Sequence, residues 1–375
     1  MKRTKRIFAI FMTLALAMSM LIVSSAVSFA ADPTYTITMK TTTGHTYAAY
    51  QVFSGKLSDD GKLSNIDWGN GVNGANALAA LKADTTYGNA FKDCTTAADV
   101  ADVLATYTDK GDDIAKIAKI IGANKATVAG TGTTSIAGLA AGYYLIVDET
   151  AEASMPAGNT YSDFMLEVVK DVEVTAKDTT TTSQKKVKDI NDSAAASDTN
   201  PTGWQDSADW DVGDNVPFQL TGTVASDYDK YSTYYFAFHD VESAGLTFDP
   251  ESVVVKVDGT EVTDGFTVVE DPDDGCTFEV VFADLKQITS VQAGSVITVE
   301  YESELNENAV MGSAGNPNTS HIEFSNNPNG TQHGKTPDDT VIVFTYKVVV
   351  NKVDENGDPL TGAGFTLYKK NAAGT

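Results

Sequence analysis

The segment from 184 to 346 is a succession of short strand-like runs separated by turns. Apolar and polar residues alternate within the runs, as in VPFQLTGTV. The dipeptide Asp258-Gly259 lies between VVVKV and TEV, which is typical of a two-residue β-hairpin turn. Turns recur about every ten residues, a spacing that favours an immunoglobulin-like sandwich. The sequence therefore predicts a mainly β chain built from tandem immunoglobulin-like domains.

A helical insertion is expected in the first domain, from about 76 to 123. Val100 and Leu104 recur at helical spacing behind Thr96, the expected N-cap, with Asp99 three residues after the cap. Strand-like runs return on both sides of this segment. We therefore expect a β domain that carries helices.

The chain begins with features of a signal peptide. MKRTKR is a basic region, and an apolar run follows over 7–23. The tripeptide Ser28-Phe29-Ala30 then places small residues at the −3 and −1 positions of a cleavage site. An uncleaved anchor is the alternative. These features predict an exported protein with a signal peptide at 1–30. From the strand and helix patterns of the rest of the chain we expect an N-terminal domain at 31–178, a second domain at 179–346 and the start of a truncated third domain at 347–375.

Charge and cysteine content exclude several classes of protein. The formal net charge is −25 and the isoelectric point is near 4.3, which argues against nucleic acid and anionic membrane surfaces as partners. Only Cys94 and Cys276 are present, so a disulfide framework is excluded, although the sequence leaves a single pairing between them open.

Signatures of catalysis and of metal binding are also missing. The sequence has no GxSxG, no HExxH and no phosphate-binding glycine loop, and its four histidines lack metal-ligand spacing. The run DENGDP imitates the start of a calcium loop, but Pro359 and Phe365 occupy the positions that need glycine and glutamate. We expect no enzyme activity, no cofactor and no metal site.

Several motifs together resemble the major pilins of Gram-positive bacteria, the shaft subunits that sortases join into fimbriae. YYLIVDET resembles the E-box of that family, and VDENGDPLTGAGFTLYK resembles the start of a Cna-B-type domain. The second domain carries the most extensive resemblance, in KKVKDIND, DVGDNVPFQL, FHDVESAGLTF, LNENAVMG and IEFSNNPNGTQHGKTPDDTVIVFTYKVVVNKVD.

The resemblance implies a structural subunit of a fimbrium on the cell wall. Its implied partners are identical subunits, in a covalent head-to-tail polymer, and a class C-type pilin sortase; a host receptor is left open. The alternative is a cell-surface adhesin, at the tip or anchored to the wall, that is built on the same modules.

The resemblance also implies an intramolecular amide bond between a lysine on the first strand of a domain and an asparagine on the last, assisted by a buried acid. Carried over, these residues are Lys186, Asn326 and Asp240, with Asn327 as the alternative acceptor. The chemistry of the reaction calls for the same three kinds of residue: a lysine, an asparagine and an acid. The lysine must be buried, because only a deprotonated amine is a nucleophile and burial lowers the pKa of lysine. A buried carboxyl group stays neutral and can move protons.

Lys186 is the predicted nucleophile because it aligns with Lys352 of the third unit, whose partners would lie beyond Thr375. Lys185 and Lys188 are then expected to be solvated neighbours. Two alternatives stay open: the three lysines could protect a polar strand edge, and Asp240 could be an ordinary turn acid.

A separate lysine is expected to join the subunits. The resemblance places a motif of the form Val-x-Val-Tyr-Pro-Lys at the end of the first domain, where this chain has VEVTAK, and it identifies Lys177 as the sortase-linked residue. Lys40 and Glu149 match the cross-linking pattern in part. Because the closing strand of that domain contains no asparagine, we predict no cross-link there.

Overall fold

A computed structural model describes residues 33–40, 44–59, 61–107, 112–175, 180–189, 203–362, 364–366 and 368. The predicted signal peptide and Lys177 lie outside these residues. Contacts divide the chain into two compact units. The first runs to Thr179 and also includes Asn326–Gln332, and the second comprises Thr180–Ser325 and His333–Thr375.

The described residues of the first unit form two sheets and four helices. Its elements in chain order are β1 (Tyr35–Met39), β2 (Tyr47–Leu57), β3 (Leu63–Trp68), α1 (Gly74–Ala83), α2 (Gly88–Phe91), α3 (Ala97–Leu104), α4 (Asp112–Gly122), β4 (Gly130–Gly132), β5 (Ser135–Leu139), β6 (Gly142–Asp148), a 3₁₀ turn (Glu152–Ser154), β7 (Asp163–Val168) and β8 (Val172–Val174). One sheet has the order β5-β1-β8, and the other has the order β3-β2-β6-β7 with β4 paired to β2.

The helical insertion forms as the sequence predicts. The Thr96 side chain accepts a hydrogen bond from the Asp99 backbone, and the Asp99 side chain accepts one from the Thr96 backbone, which completes a capping box at the start of α3. Val100 and Leu104 then belong to the buried apolar cluster that also includes residues of β2 and β6. Among the described residues, no helix is long and apolar enough to cross a membrane.

The second unit is almost wholly β. Its strands are β9 (Thr182–Lys188), β10 (Trp204–Gln205), β11 (Ser207–Asp209), β12 (Asn215–Thr223), β13 (Phe236–Glu242), β14 (Leu246–Val257), β15 (Thr260–Val262), β16 (Thr267–Glu270), β17 (Phe278–Phe282), β18 (Val296–Leu305), β19 (Asn316–Ser325), β20 (His333–Lys335) and β21 (Asp339–Phe344), with short 3₁₀ turns at Tyr228–Lys230 and Leu285–Gln287. The prediction of a mainly β fold is confirmed.

Two sheets enclose one apolar core in this unit. The first has the order β10-β9-β12-β18-β14-β15, and the second has the order β11-β21-β19-β13-β17-β16 with β20 paired to β19. Inward side chains from both sheets, such as Phe218 of β12 and Phe236 of β13, belong to a single buried cluster. The first strand of the unit, β9, therefore lies in one sheet, whereas β13 and β19 are neighbours in the other.

The predicted hairpin at Asp258-Gly259 is present. Both residues have positive φ, 48° and 81°, as a type I′ turn requires, and Val257 pairs with Thr260 across it. From Lys347 onward the described residues contain only an isolated bridge, between Val353 and Pro359. Cys94 and Cys276 are both buried free thiols, so the pairing that the sequence left open is not formed.

Candidate functional site

A lysine side chain is completely buried between the two sheets of the second unit. It belongs to Lys185 on β9, whose side chain is 0% exposed. Lys185 and Val187 point to the core, since alternate residues of a strand share a face. A buried ammonium group is costly unless it is paired, so its neighbours decide its state.

The Lys185 amine meets polar groups from both sheets. Its Nζ contacts the carboxylate of Asp240 on β13 and donates a hydrogen bond to the Tyr301 hydroxyl on β18, at 2.8 Å. The rings of Phe218 and Tyr301 flank it, each with its centroid 5.4 Å from Nζ. The amine is thus held in place inside a mainly aromatic cage.

A primary amide lies beside this amine. Asn318 on β19 is 0% exposed, and its Nδ2 donates to the Tyr301 hydroxyl at 3.0 Å and to Glu242 Oε1 at 3.2 Å. Both Nζ of Lys185 and Nδ2 of Asn318 bond the same hydroxyl, at 2.8 and 3.0 Å, so these two nitrogens are at most about 5.8 Å apart. A nucleophile and an acyl group are therefore neighbours.

Two buried acids complete the cluster. Asp240 and Glu242 alternate on β13, with the inner Asp240 0% exposed, and Glu242 also accepts a hydrogen bond from Ser303 at 2.5 Å. Among the described residues, Asp240 Oδ1, Glu242 Oε2 and Asn318 Oδ1 are buried without a hydrogen-bond partner. An uncharged carboxyl group would supply a donor to such acceptors.

Burial favours the uncharged forms of these groups. Removal from water lowers the pKa of Lys185, although Asp240 opposes the shift. Burial likewise raises the pKa of Asp240 against the effect of Lys185. Burial and the nearby Asp240 raise the pKa of Glu242 to about 7. The site can therefore hold a neutral amine beside a protonated acid.

Lys186, the predicted nucleophile, does not lie in this cluster. Its side chain is 22% exposed and forms an ion pair with Asp206, a side chain that is 76% exposed. The expected faces of β9 are reversed, so Lys185, which we expected to be solvated, is the buried lysine. The physical reason is the apolar Val187: the face that it buries is shared with Lys185 and not with Lys186.

Asn326 is also separated from the acid. Ser320 is the β19 residue opposite Asp240, and Asn326 lies six residues further along the chain, which is roughly 20 Å of extended strand. Asn326 is assigned to the first unit, where its carbonyl accepts a hydrogen bond from the Tyr161 backbone at 2.7 Å. Asn327, the alternative acceptor, is in the same segment. Of the predicted set, the structure places only Asp240 in the cluster.

The alternation of residues along β19 could have indicated from the sequence that Asn318 is buried. Residues 316, 318, 320, 322 and 324 alternate inward along β19, so Asn318 shares the face of Ile322 and Phe324. An amide on the buried face of a long strand is unusual and requires polar partners. The length of β19 was the missing information, because the acceptor was sought at the end of the strand.

Lys40 and Glu149, which match the cross-linking pattern in part, have different partners in the first unit. The Lys40 amine forms an exposed ion pair with Glu173, whereas Glu149 contacts the Tyr50 hydroxyl and lies 3.5 Å from the Lys125 amine. The absence of a cross-link in this unit stays a prediction.

Comparisons with known proteins extend the description of the fold. No family model matches the chain. Over 154 residues it is 32% identical to the trypsin-resistant surface T6 protein of Streptococcus pyogenes serotype M6. That match covers 34% of this chain and 27% of the relative, so the chain spans well under two thirds of the curated relative.

Two solved structures are similar to this chain to different degrees. The T6 backbone pilin of serotype M6 S. pyogenes, described as a modular three-domain protein, superposes with a TM-score of 0.54 at 20% identity, over 89% of this chain and 69% of that one. The full-length major pilin SpaD of Corynebacterium diphtheriae gives 0.46 at 18% identity, over 84% and 67%. Both of these solved structures are pilins. In fold, and in sequence over the matched stretch, the chain resembles the backbone pilins of Gram-positive bacteria.

Proposed function

We propose that the protein is a structural shaft subunit of a surface fimbrium, stabilised by a self-catalysed amide bond between Lys185 and Asn318. The observation that carries this proposal is the buried cluster in which Lys185 and Asn318 share the Tyr301 hydroxyl beside two acids. The relatives named above are a surface protein and backbone pilins, which supports the same role.

The reaction is an aminolysis of a carboxamide. Deprotonated Nζ of Lys185 attacks Cγ of Asn318, a Cγ–Nζ bond forms, and the Cγ–Nδ2 bond breaks. One proton passes from Nζ to Nδ2, which leaves as ammonia, so no oxidant or cofactor is needed. Folding supplies proximity, and well-oriented groups reach effective molarities of roughly 10⁵–10⁸ M.

The proton carrier is Asp240. It contacts the Lys185 amine, and proton transfer from that amine leaves a neutral nucleophile and a neutral acid, the forms that burial favours. The protonated carboxyl can then donate to the Asn318 carbonyl, which otherwise has no donor among the described residues. It finally delivers the proton to the leaving nitrogen.

Glu242 and Tyr301 orient the amide. Both accept from Asn318 Nδ2, and the Ser303 hydroxyl holds the same Glu242 oxygen. They restrict the rotation of the amide beside the amine, and they stabilise the leaving nitrogen as it gains charge. The result is a covalent bond between the two sheets, from β9 to β19.

Polymerisation completes the proposal. A class C-type pilin sortase would join identical subunits head to tail through Lys177, on the outside of the cell wall. This lysine lies outside the described residues, and its assignment rests on the sequence resemblance.

Intact mass spectrometry of the mature chain tests the cross-link. We expect a deficit of one ammonia relative to the sequence, and peptide mapping that joins the peptides of Lys185 and Asn318. A full calculated mass would end the cross-link proposal, and a bond to Asn326 would restore the sequence-based assignment.

The role in a shaft is tested separately in cells that express the cognate sortase. Lys177→Ala is expected to abolish the high-mass ladder of polymers while the ammonia deficit stays. A ladder that survives would move the linking residue elsewhere. A protein found only as single copies at the tip or on the wall would favour the adhesin alternative.

A further inference from the structure

A second cluster of reactive side chains lies on the opposite face of β13, pointing away from the Lys185 site. His239, Asp274 and Cys276 place their ligand atoms within 4.8 Å of one another. His239 and Asp240 are consecutive on the strand, so their side chains point to opposite faces. The mechanism proposed for Lys185 uses none of these three residues.

The separations between these atoms match the edges of a metal coordination shell. Nδ1 of His239 is 3.0 Å from Asp274 Oδ2 and 3.7 Å from Cys276 Sγ, and Sγ is 3.2 Å from the same Asp274 oxygen. Tetrahedral bonds of about 2.0–2.3 Å from zinc to nitrogen, oxygen and sulfur imply edges of roughly 3.3–3.7 Å. The three atoms therefore need only small shifts to surround one ion.

Surrounding groups favour a cation and orient the histidine. Glu279 lies across the β13–β17 pair from His239, and its Oε1 is 3.1 Å from the same Nδ1. On the other side of the ring, Nε2 has no hydrogen-bond partner among the described residues and lies 3.5 Å from Glu323. A metal on Nδ1 would place the ring proton on Nε2, facing that carboxylate, which is the usual outer partner of a ligating histidine.

Burial and access also fit a built site. His239 and Cys276 are 5% and 8% exposed, whereas the Asp274 side chain is 44% exposed, so an ion could enter at the carboxylate. The ring of His321 stacks on His239 at 4.8 Å and limits its rotation. Asp274 is itself fixed, because its other oxygen accepts from the Cys276 backbone at 2.9 Å.

We propose that His239, Asp274 and Cys276 form a binding site for a divalent transition-metal ion of the zinc class. Thiolate and imidazole select such ions over Ca²⁺ and Mg²⁺, which require mainly oxygen ligands. Three protein ligands leave a fourth position for water or for Glu279. Sequence spacing did not predict this site, because His239 is joined to the turn that carries Asp274 and Cys276 only by strand pairing.

Cobalt titration of the reduced, full-length mature chain tests the site. We expect one equivalent of Co²⁺ to produce a sulfur-to-cobalt charge-transfer band, and an equivalent of Zn²⁺ to remove it. Cys276→Ser is expected to abolish the band, and His239→Gln to weaken binding at least tenfold. The matched control is Cys94→Ser, which removes the other buried thiol and is expected to keep the band.

Three results would overturn the proposal, and the first two are a wild-type chain without the band and a band that survives in Cys276→Ser. Weak binding that none of these variants changes would be general attraction of cations to an acidic surface, and would also overturn it. The thermal transition of the second unit, measured for each variant, reports on folding independently of the proposed cross-link.

Discussion

The strongest prediction concerns the exchange of one lysine for a side chain of similar length, Lys185→Met. Methionine keeps contacts with the rings of Phe218 and Tyr301 but has no nucleophilic nitrogen. We expect the variant to have its full calculated mass, since no ammonia can leave. Asp240 then remains buried as a neutral acid, which its raised pKa allows.

The loss of stability can be worked out from the enclosed loop. A bond between Lys185 and Asn318 closes a loop of about 130 residues, and the chain-entropy model for a cross-link of that length gives about 5 kcal/mol. For a domain of this size, 1 kcal/mol corresponds to roughly 2–4 °C in Tm, so a decrease of about 10–20 °C is expected in the second unit.

Differential scanning calorimetry and intact mass on the same samples measure both effects. The matched control is Lys186→Met, on the adjacent residue. Lys186 pairs with the exposed Asp206, and such surface pairs contribute little, so we expect the ammonia deficit to remain and stability to change by less than about 0.5 kcal/mol. The reasoning fails if Lys185→Met still loses ammonia, or if Lys186→Met retains its full mass.

Three further predictions use other residues. Asn318→Ala is expected to restore the full mass, whereas Asn326→Ala keeps the deficit; the opposite pattern would reinstate the acceptor predicted from sequence. The pKa of Glu242 is about 7 in the folded state against an ordinary 4.5, so the stability that its protonated form confers is complete below about pH 4.5 and is lost as the pH rises through 7. Glu242→Gln should flatten this slope in urea midpoints measured from pH 4 to pH 8, and an unchanged slope would contradict the assignment. Thr96→Ala removes the capping box of α3 and is expected to destabilise the first unit by about 1 kcal/mol, measured as the shift of its thermal transition; no shift would show that the cap is dispensable.

Local chemistry made parts of the fold predictable. The Thr96 cap and the Asp258-Gly259 turn each depend on residues that are neighbours in sequence, so both were predictable in position and type. The general β character followed from alternation along each strand. These features need no information about which strands are partners.

The residues of the candidate site were harder to predict, because strand pairing decides which side chains meet there. Of the residues predicted from the sequence, Asp240 lies in the buried cluster, whereas the buried lysine is Lys185 and not Lys186; a shift of one residue exchanges the two faces of a strand. The buried Val187 could have corrected this assignment. Asn318 required the register of β19 against β13, which places Ser320 opposite Asp240, and no local pattern contains that register.

The position of Asn318 in the interior of β19 has a consequence for extension under load. With the proposed Lys185–Asn318 bond in place, a pull on the two ends of the second unit would be transmitted through that bond, so the loop from 186 to 317 would carry no tension. Residues 182–184 of β9 and, chiefly, the stretch 319–344, with the rest of β19, β20 and β21, could peel away. At about 3.3–3.6 Å per residue, that stretch would lengthen each subunit by roughly 90 Å at most. In a shaft of such subunits, each second unit could extend by this short stretch, while the part enclosed by the covalent bond would stay folded.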